Sequence, residues 1–555
     1  MPNFTQPSQI SISQPNIPKR SYKNLGYFRS LSKEKSFSQK FQISDTEQPK
    51  DIDEIMFDIY SEGGKIRVLR FIEELESHGI NTNKDPRFDS LTKQLNVIIR
   101  KQGGLCNFQT FRELISPVLD VIVSVLQGRN VINDFNLFSD ELTKLFDEVK
   151  EINGGETVAQ NPHLARLDSD KWGMSICSVD GQRFSIGDCD DKVVIQQVVN
   201  PLMYAIALTD LGEDLVHSFI GHEPSGFGYD KLMLNTKGLP HNPMINSGAL
   251  VLSSLVAPNQ PLPDRIGYMI NQLNRLCGGG STVIDLPSFI FEREHADRNY
   301  ALAYYLRENK CFEKSIKLKD ICDLYFQLTS SLFDCGKLSI VAGTLANDGV
   351  CPLTGERILN SIAVRNTLSI MNSCGLYNYS GMFAFKVGFP AKSSVSGFVM
   401  AVIPNVMGIC TWSPPLDIRS NSVRGIQFME RLVKKFNFHN YDFSRDKNHI
   451  NPRIRQNSIE EHRITTMLFA VLHGSLGSMH RYLSAGYNFN AADYDGRTCL
   501  HIAAAEGALS IVKFLVENAG VDPSPVDRWG QTPIKDATLF GHEDVKRYLE
   551  AIDIS

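Results

Sequence analysis

The chain has 555 residues, 42% of them hydrophobic and 21% charged, enough for several domains and at least one large core, in a composition typical of globular proteins. Its net charge of −5 gives no electrostatic footing for nucleic acid or an anionic membrane as partner. The eleven cysteines form neither a C-x-x-C pair nor a matched Cys/His cluster, so reduced thiols in an intracellular compartment are expected, with no structural zinc and no other metal or cofactor.

Residues 1–50 are rich in Ser, Gln and Pro without hydrophobic periodicity, which predicts a disordered tail. Lys19, Arg20, Lys23, Arg29, Lys33, Lys35 and Lys40 face a single acid, Glu34, over the first forty residues. That bias is compatible with a mitochondrial presequence, although the first eighteen residues carry no charge. The compartment therefore stays open between mitochondrion and cytoplasm.

Residues 51–150 read as helices. Ile66, Val68, Leu69, Phe71, Ile72 and Leu75 recur at helical spacing, Asn81 to Pro86 breaks the pattern, and Leu114 to Leu126 predicts a further apolar helix. Helix–loop–helix pairs suggest an EF-hand origin. The acidic ligand ladder and central glycine that calcium needs are missing, so no calcium is expected.

From about 155 to 438 short β-like runs (Gly173 to Val179, Ser396 to Ile403, Val406 to Trp412) alternate with helical ones such as Ile321 to Leu332 and Val364 to Met371. This is the pattern of one α/β domain. The longest apolar run, Val395 to Trp412, is interrupted by Pro404 and Asn405, which predicts two buried strands and a turn and no membrane span. A linker is expected over 439–460. Beyond it, at 461–555, Thr498-Cys-Leu-His-Ile-Ala-Ala-Ala-Glu-Gly507 resembles the T-P-L-H-x-A turn and first helix of an ankyrin unit, and Thr532-Pro-Ile-Lys-Asp-Ala537 repeats it 34 residues later. Gly474, Gly507 and Gly541 stand where such helices end and positive φ is needed. Ankyrin stacks bind other proteins and perform no chemistry.

Five strings in the middle block carry a resemblance. They are Trp172-Gly-Met-Ser-Ile-Cys-Ser-Val-Asp-Gly-Gln-Arg183, Gly221-His-Glu-Pro-Ser-Gly226, His241-Asn-Pro-Met-Ile-Asn-Ser-Gly-Ala249, Glu292-Arg-Glu-His-Ala-Asp-Arg-Asn299 and Asn405-Val-Met-Gly408. In this order they resemble the kidney-type glutaminases, which hydrolyse L-glutamine to L-glutamate and ammonia. The resemblance runs over nearly everything after residue 50. It implies an α/β central domain of the serine β-lactamase-like (DD-peptidase-like) glutaminase fold, flanked by an N-terminal EF-hand-like helical bundle and C-terminal ankyrin repeats.

In that family the nucleophile lies in a motif resembling Q-S-x-x-K-P-L-x-Y, where one helical turn sets the lysine beside the serine whose proton it takes. Here the stretch reads Gln196-Gln-Val-Val-Asn-Pro-Leu-Met-Tyr204. Gln196, Pro201, Leu202 and Tyr204 fix the register, so Gln197 stands at the nucleophile position and Asn200 at the base position. A carboxamide has neither an ionisable proton nor a basic lone pair at neutral pH. No other S-x-x-K occurs within 155–438, since Ser90/Lys93 and Ser510/Lys513 lie elsewhere. The nearest thiols, Cys177 and Cys189, have no lysine or histidine at a useful spacing. Two more positions depart from the family pattern. Gln160 replaces a substrate-contacting tyrosine, and Ser394 replaces the glycine of a K-S-G-V strand that reads Lys392-Ser-Ser-Val395.

Other positions match. The resemblance implies a glutamine or glutamate pocket formed by Asn246, Glu292, Asn299 and Tyr325, with Tyr377 as the proton-shuttling tyrosine. Val395 and Gln197 would supply the two oxyanion-hole backbone N–H groups. It also implies tetramers, and Tyr229 to Asn235 resembles an interface loop; the chain would form homo-oligomers or co-assemble with active glutaminases. The expected function is that of a glutaminase-family protein impaired in turnover, binding an amino acid or regulating its relatives. A rescued glutaminase with water activated by Tyr377, or an ankyrin-based interaction scaffold, are the alternatives.

Overall fold

The computed structural model describes residues 52–102, 104–126, 130–158, 161–226, 231–313, 316–442, 450–452, 464, 467–472, 474–484, 487–493 and 495–553. The tail, most of the expected linker, Gln160 and Tyr229 therefore lie outside the described residues. The described residues divide into two compact units, one within 52–71 and 95–116 and the other within 72–94 and 117–553.

In the first unit the helix Ile52–Tyr60 leads into a hairpin of Ser61–Glu62 and Lys65–Arg67 that turns at Gly63-Gly64. The second hairpin strand pairs with Leu105–Cys106, which precedes the helix Phe108–Ile115. Phe57, Phe71 and Phe111 form its aromatic centre, with ring centroids 5.8 and 5.3 Å apart along the chain Phe57–Phe111–Phe71. Strands bridging two helix–loop–helix segments are the EF-hand frame. The first interhelical segment runs only from Ser61 to Arg67, shorter than a twelve-residue ligand loop. The single apolar helix expected over Leu114 to Leu126 is instead interrupted by a 3₁₀ turn, Ser116–Val118, at Pro117, where the missing N–H forbids a continuous ladder.

The second unit is built on a five-stranded antiparallel sheet. Its order is Arg183–Gly187, Gly173–Ser178, Met407–Trp412, Phe398–Ile403, Ala391–Ser393. The run from Val395 to Trp412 contains the two expected strands, paired from Phe398↔Trp412 to Ile403↔Met407 around Asn405 at φ +61°. Both faces of the sheet are covered, so alternation shows in destination and not in polarity. Phe398, Met400, Val402, Cys410 and Trp412 enter the larger core with the helices on one side. Val399, Ala401, Ile403, Met407 and Ile409 enter a second core on the other.

The helix Cys335–Ala346 lies on the first face. It approaches so closely that a Cβ on Gly408 would collide with the backbone of Ala342 and Gly343. The other face is closed by Phe135–Lys150 and Val423–Lys435. Grouped by sequence with the N-terminal helices, Phe135–Lys150 thus packs its buried Phe138, Leu142, Leu145 and Val149 into the sheet's second core. Further helices, among them Val199–Leu211, Asn246–Leu255, Leu286–His295, Leu318–Thr329 and Ser361–Cys374, complete the larger core.

The ankyrin region has its own core, including Val471, Met479, Leu500, Ala503, Val512, Leu515, Val545 and Leu549. Thr498 and His501 make a capping box at the start of Cys499–Ala505, and His501 Nε2 lies 3.2 Å from the Gln531 carbonyl of the following unit. Asp493 Oδ1 accepts from Asp495 and Arg497 N–H groups, and Asp527 Oδ1 accepts from Trp529 and Gln531 in the same way. Gly474, Gly507 and Gly541 sit at φ +67°, +69° and +80°, in agreement with their expected place after a helix.

Candidate functional site

The turn Gln196–Val198 opens the helix Val199–Leu211. Residues 199–208 are all buried, so the residues at its start face protein and not water. The turn packs against the helix Leu318–Thr329 and the strands Ala391–Ser393 and Phe398–Ile403. Gln196 is held at φ +50° and Tyr377 at φ +51°, a region non-glycine residues enter at a cost of roughly 1–3 kcal/mol each. Both strained residues flank the same side chain, Gln197.

Gln197 is 7% exposed. Its Oε1 accepts hydrogen bonds from the Val395 backbone N–H at 3.2 Å and from the Tyr377 hydroxyl at 3.3 Å. Three predicted site residues therefore meet at one atom, in an arrangement different from the one expected. The Val395 N–H, assigned by resemblance to an oxyanion hole, is occupied by the chain's own carboxamide. Asn200 is fully buried and turned elsewhere. Its Nδ2 donates to the Met244 carbonyl at 3.2 Å, and its Oδ1 has no hydrogen-bond partner among the described residues.

A second group gathers on Glu292, near the end of the helix Leu286–His295. Gln196 Nε2 donates to its Oε1 at 3.2 Å and Asn161 Nδ2 at 3.4 Å. Desolvation raises the Glu292 pKa, with these two amide hydrogen bonds opposing the rise. No cation pairs with it among the described residues. Asn246, at the first turn of Asn246–Leu255, donates through Nδ2 to Asn299 Oδ1 at 2.9 Å, while its buried Oδ1 is unpartnered. The loop before it is pinned by Asn242, which accepts from the Met244 N–H and donates to the Glu223 carbonyl. Tyr325 is buried on Leu318–Thr329, the helix that packs on the Gln196–Val198 turn. Gln160 lies outside the described residues.

The departures at Ser394 and the thiols are local. Ser394 Oγ pairs with Ser396 Oγ at 2.7 Å, so its extra side chain is accommodated in the turn of its own strand. Burial pushes the Cys177 and Cys189 thiols up to about 12, which leaves neither a usable thiolate.

Lys392 joins this site, although its string in the sequence implies no role for it. It is fully buried, its ammonium stands 4.5 Å from the centre of the Tyr377 ring, and it donates to the Ser393 carbonyl. No carboxylate pairs with it among the described residues, and desolvation lowers its pKa to about 7. Asn161 and Gln196, both on Glu292, are neutral amides that nothing in residue type or spacing singles out in the sequence.

A glutaminase family model matches residues 155–441, an ankyrin-repeat model of three copies matches 467–555, and an EF-hand domain model matches 52–132. The liver isoform of mitochondrial glutaminase from Rattus norvegicus is 42% identical over 501 residues, covering 90% of this chain and 83% of that protein. Putative glutaminase 2 of Caenorhabditis elegans is 44% identical over 444 residues, covering 80% and 73%. Among solved structures, Mglu in its tris and glutamate form superposes with a TM-score of 0.52 at 34% identity, over 55% of this chain and 68% of that one. The chain belongs to the glutaminase family, with an EF-hand-like N-terminal region and C-terminal ankyrin repeats.

Proposed function

We propose that this glutaminase-family protein has little or no glutamine turnover and keeps an amino-acid pocket. The observation that carries the reading is the Gln197 carboxamide at the nucleophile position, with its oxygen on the Val395 N–H and the Tyr377 hydroxyl. A carboxamide cannot be deprotonated to attack an acyl carbon, and Asn200 offers no amine to accept a proton. In serine hydrolases, loss of the nucleophile lowers turnover on the order of a million-fold. The pocket half of the proposal rests on Glu292 and Asn246. A desolvated carboxylate met only by amides among the described residues, and an amide oxygen left without a partner among them, are each acceptors that suit an α-ammonium group. The solved relative in a glutamate form is in keeping with such a ligand.

The test is to restore the pair. Gln197→Ser with Asn200→Lys should release ammonia from L-glutamine well above the unaltered protein, while each single change stays near it, because nucleophile and base act as a unit. Equal activity in the unaltered protein and the double variant would overturn the reading.

A second reading, an active enzyme using water activated by Tyr377, has one observation in its favour. Lys392 lies over the Tyr377 ring, 4.5 Å from its centre, where its ammonium form would favour the phenolate of Tyr377. It lacks a covalent nucleophile, and the Tyr377 hydroxyl is already engaged by Gln197. As for setting, the basic first forty residues and the mitochondrial name of the rat relative favour a mitochondrial address. Assembly as a homo-oligomer, or with active glutaminases, and a protein partner on the ankyrin units belong to the same proposal.

A further inference from the structure

We propose that the Gln197 side chain is an internal stand-in for a ligand's carboxamide, so that the pocket selects an α-amino acid with a side chain shorter than that of glutamine. This deepens the amino-acid reading of the site and rests on it.

Two donors from separate parts of the chain, the Val395 backbone N–H in the turn between the strands Ala391–Ser393 and Phe398–Ile403 and the hydroxyl of the strained Tyr377, converge on one carbonyl oxygen. Such convergence is a built receptor for a carboxamide or carboxylate oxygen, and here Gln197 itself supplies the oxygen. The residue is 7% exposed, so the amide is seated among protein groups. A serine at this position carries one heavy atom beyond Cβ; a glutamine carries four, ending in the same functional group as the side chain of free glutamine. A ligand's own carboxamide would have to displace it, because one N–H and one hydroxyl cannot serve two seated carbonyl oxygens at full strength.

The adjoining group is unfilled. Gln196, the next residue, donates to Glu292, whose carboxylate meets only amides among the described residues. The Asn246 Oδ1 is buried and unpartnered. Both are acceptors, the polarity an α-ammonium requires. The carboxamide receptor is thus filled by the chain itself, while acceptors suited to an ammonium remain. Glycine, L-alanine and L-serine have an α-ammonium and an α-carboxylate to place but no side-chain carboxamide that must displace Gln197.

Calorimetry on the full chain and on Gln197→Ala, with L-alanine, L-serine and L-glutamine as probes, tests this. In the unaltered protein L-alanine or L-serine should bind saturably, with L-glutamine at least about tenfold weaker, as expected when a ligand must break seated hydrogen bonds. In Gln197→Ala the order should reverse, with L-glutamine gaining about tenfold or more. Tight L-glutamine binding by the unaltered protein, equal to or better than that of the short amino acids, overturns the inference and leaves the amino-acid pocket standing. An unmoved preference in a folded Gln197→Ala does the same. No binding of any probe to either protein overturns the amino-acid reading itself, and this inference with it. The ranking in the unaltered protein decides the matter even if the variant fails to fold.

Discussion

On the proposed reading, Gln197 in place of a serine changes two things at once: no removable proton is left, and a longer side chain reaches the Val395 N–H and the Tyr377 hydroxyl. Neighbouring side chains retain properties that make sense only with a partner. Glu292 is ionisable and desolvated, with no cation paired to it among the described residues. Its folded pKa lies above its unfolded value, so the folded state loses stability as pH rises through that interval, and the cost is complete above the raised pKa. At neutral pH Glu292→Gln should therefore stabilise the ligand-free protein by roughly 0.5–2 kcal/mol while abolishing amino-acid binding. Thermal unfolding with and without ligand reads both effects, and destabilisation by the amide would show that Glu292 is structural.

Lys392 carries the opposite sign. Burial lowers its pKa to about 7, so from there up to the ordinary lysine range the unfolded state binds the extra proton. Stability relative to a Lys392→Met variant should rise with pH across that window by up to about 1.4 kcal/mol per unit. It should be flat below pH 7. Unfolding curves for both proteins at pH 6, 8 and 9.5 check this, and a flat difference throughout would mean that the ammonium is solvated or paired.

Element by element, the strongest constraint is the contact of the Cys335–Ala346 helix with the sheet. Gly408 faces Ala342 and Gly343 with no space for a Cβ, and the atoms in the way are largely backbone. Gly408→Ala should cost several kcal/mol, on the order of 3 or more, read as a large drop in the denaturation midpoint or loss of soluble protein. A change under about 0.5 kcal/mol would contradict the packing described. The paired strands between Val395 and Trp412 were legible because Pro404 and Asn405 divide one apolar run into two strand-length pieces. The destination of Phe135–Lys150 was not, because its amphipathic pattern names a buried face without naming what covers it. The flanking string draws attention to Gln197 and Asn200, and the structure sets the Gln197 amide on Val395 and Tyr377. The path of the Gln197 amide was not legible, since its partner Val395 lies 198 residues away and the contact depends on a rotamer. Lys392 escaped notice because a buried, unpaired lysine contradicts the prior that lysines are exposed.

Across the whole molecule, the fold and the family's reaction depend on different residues. The sheet, its covering helices and the Asn242-pinned loop follow from apolar and backbone interactions that neither Gln197 nor Asn200 disturbs. Gln197 even adds hydrogen bonds of its own. On the proposed reading a glutaminase frame persists without its chemistry, Glu292 and Asn246 hold an amino acid, and the ankyrin units hold a protein. The most direct test of this separation is ammonia release from L-glutamine by the unaltered full-length protein. The expectation is no release distinguishable from a heat-denatured control. Sustained turnover on the order of 10 per second would contradict it.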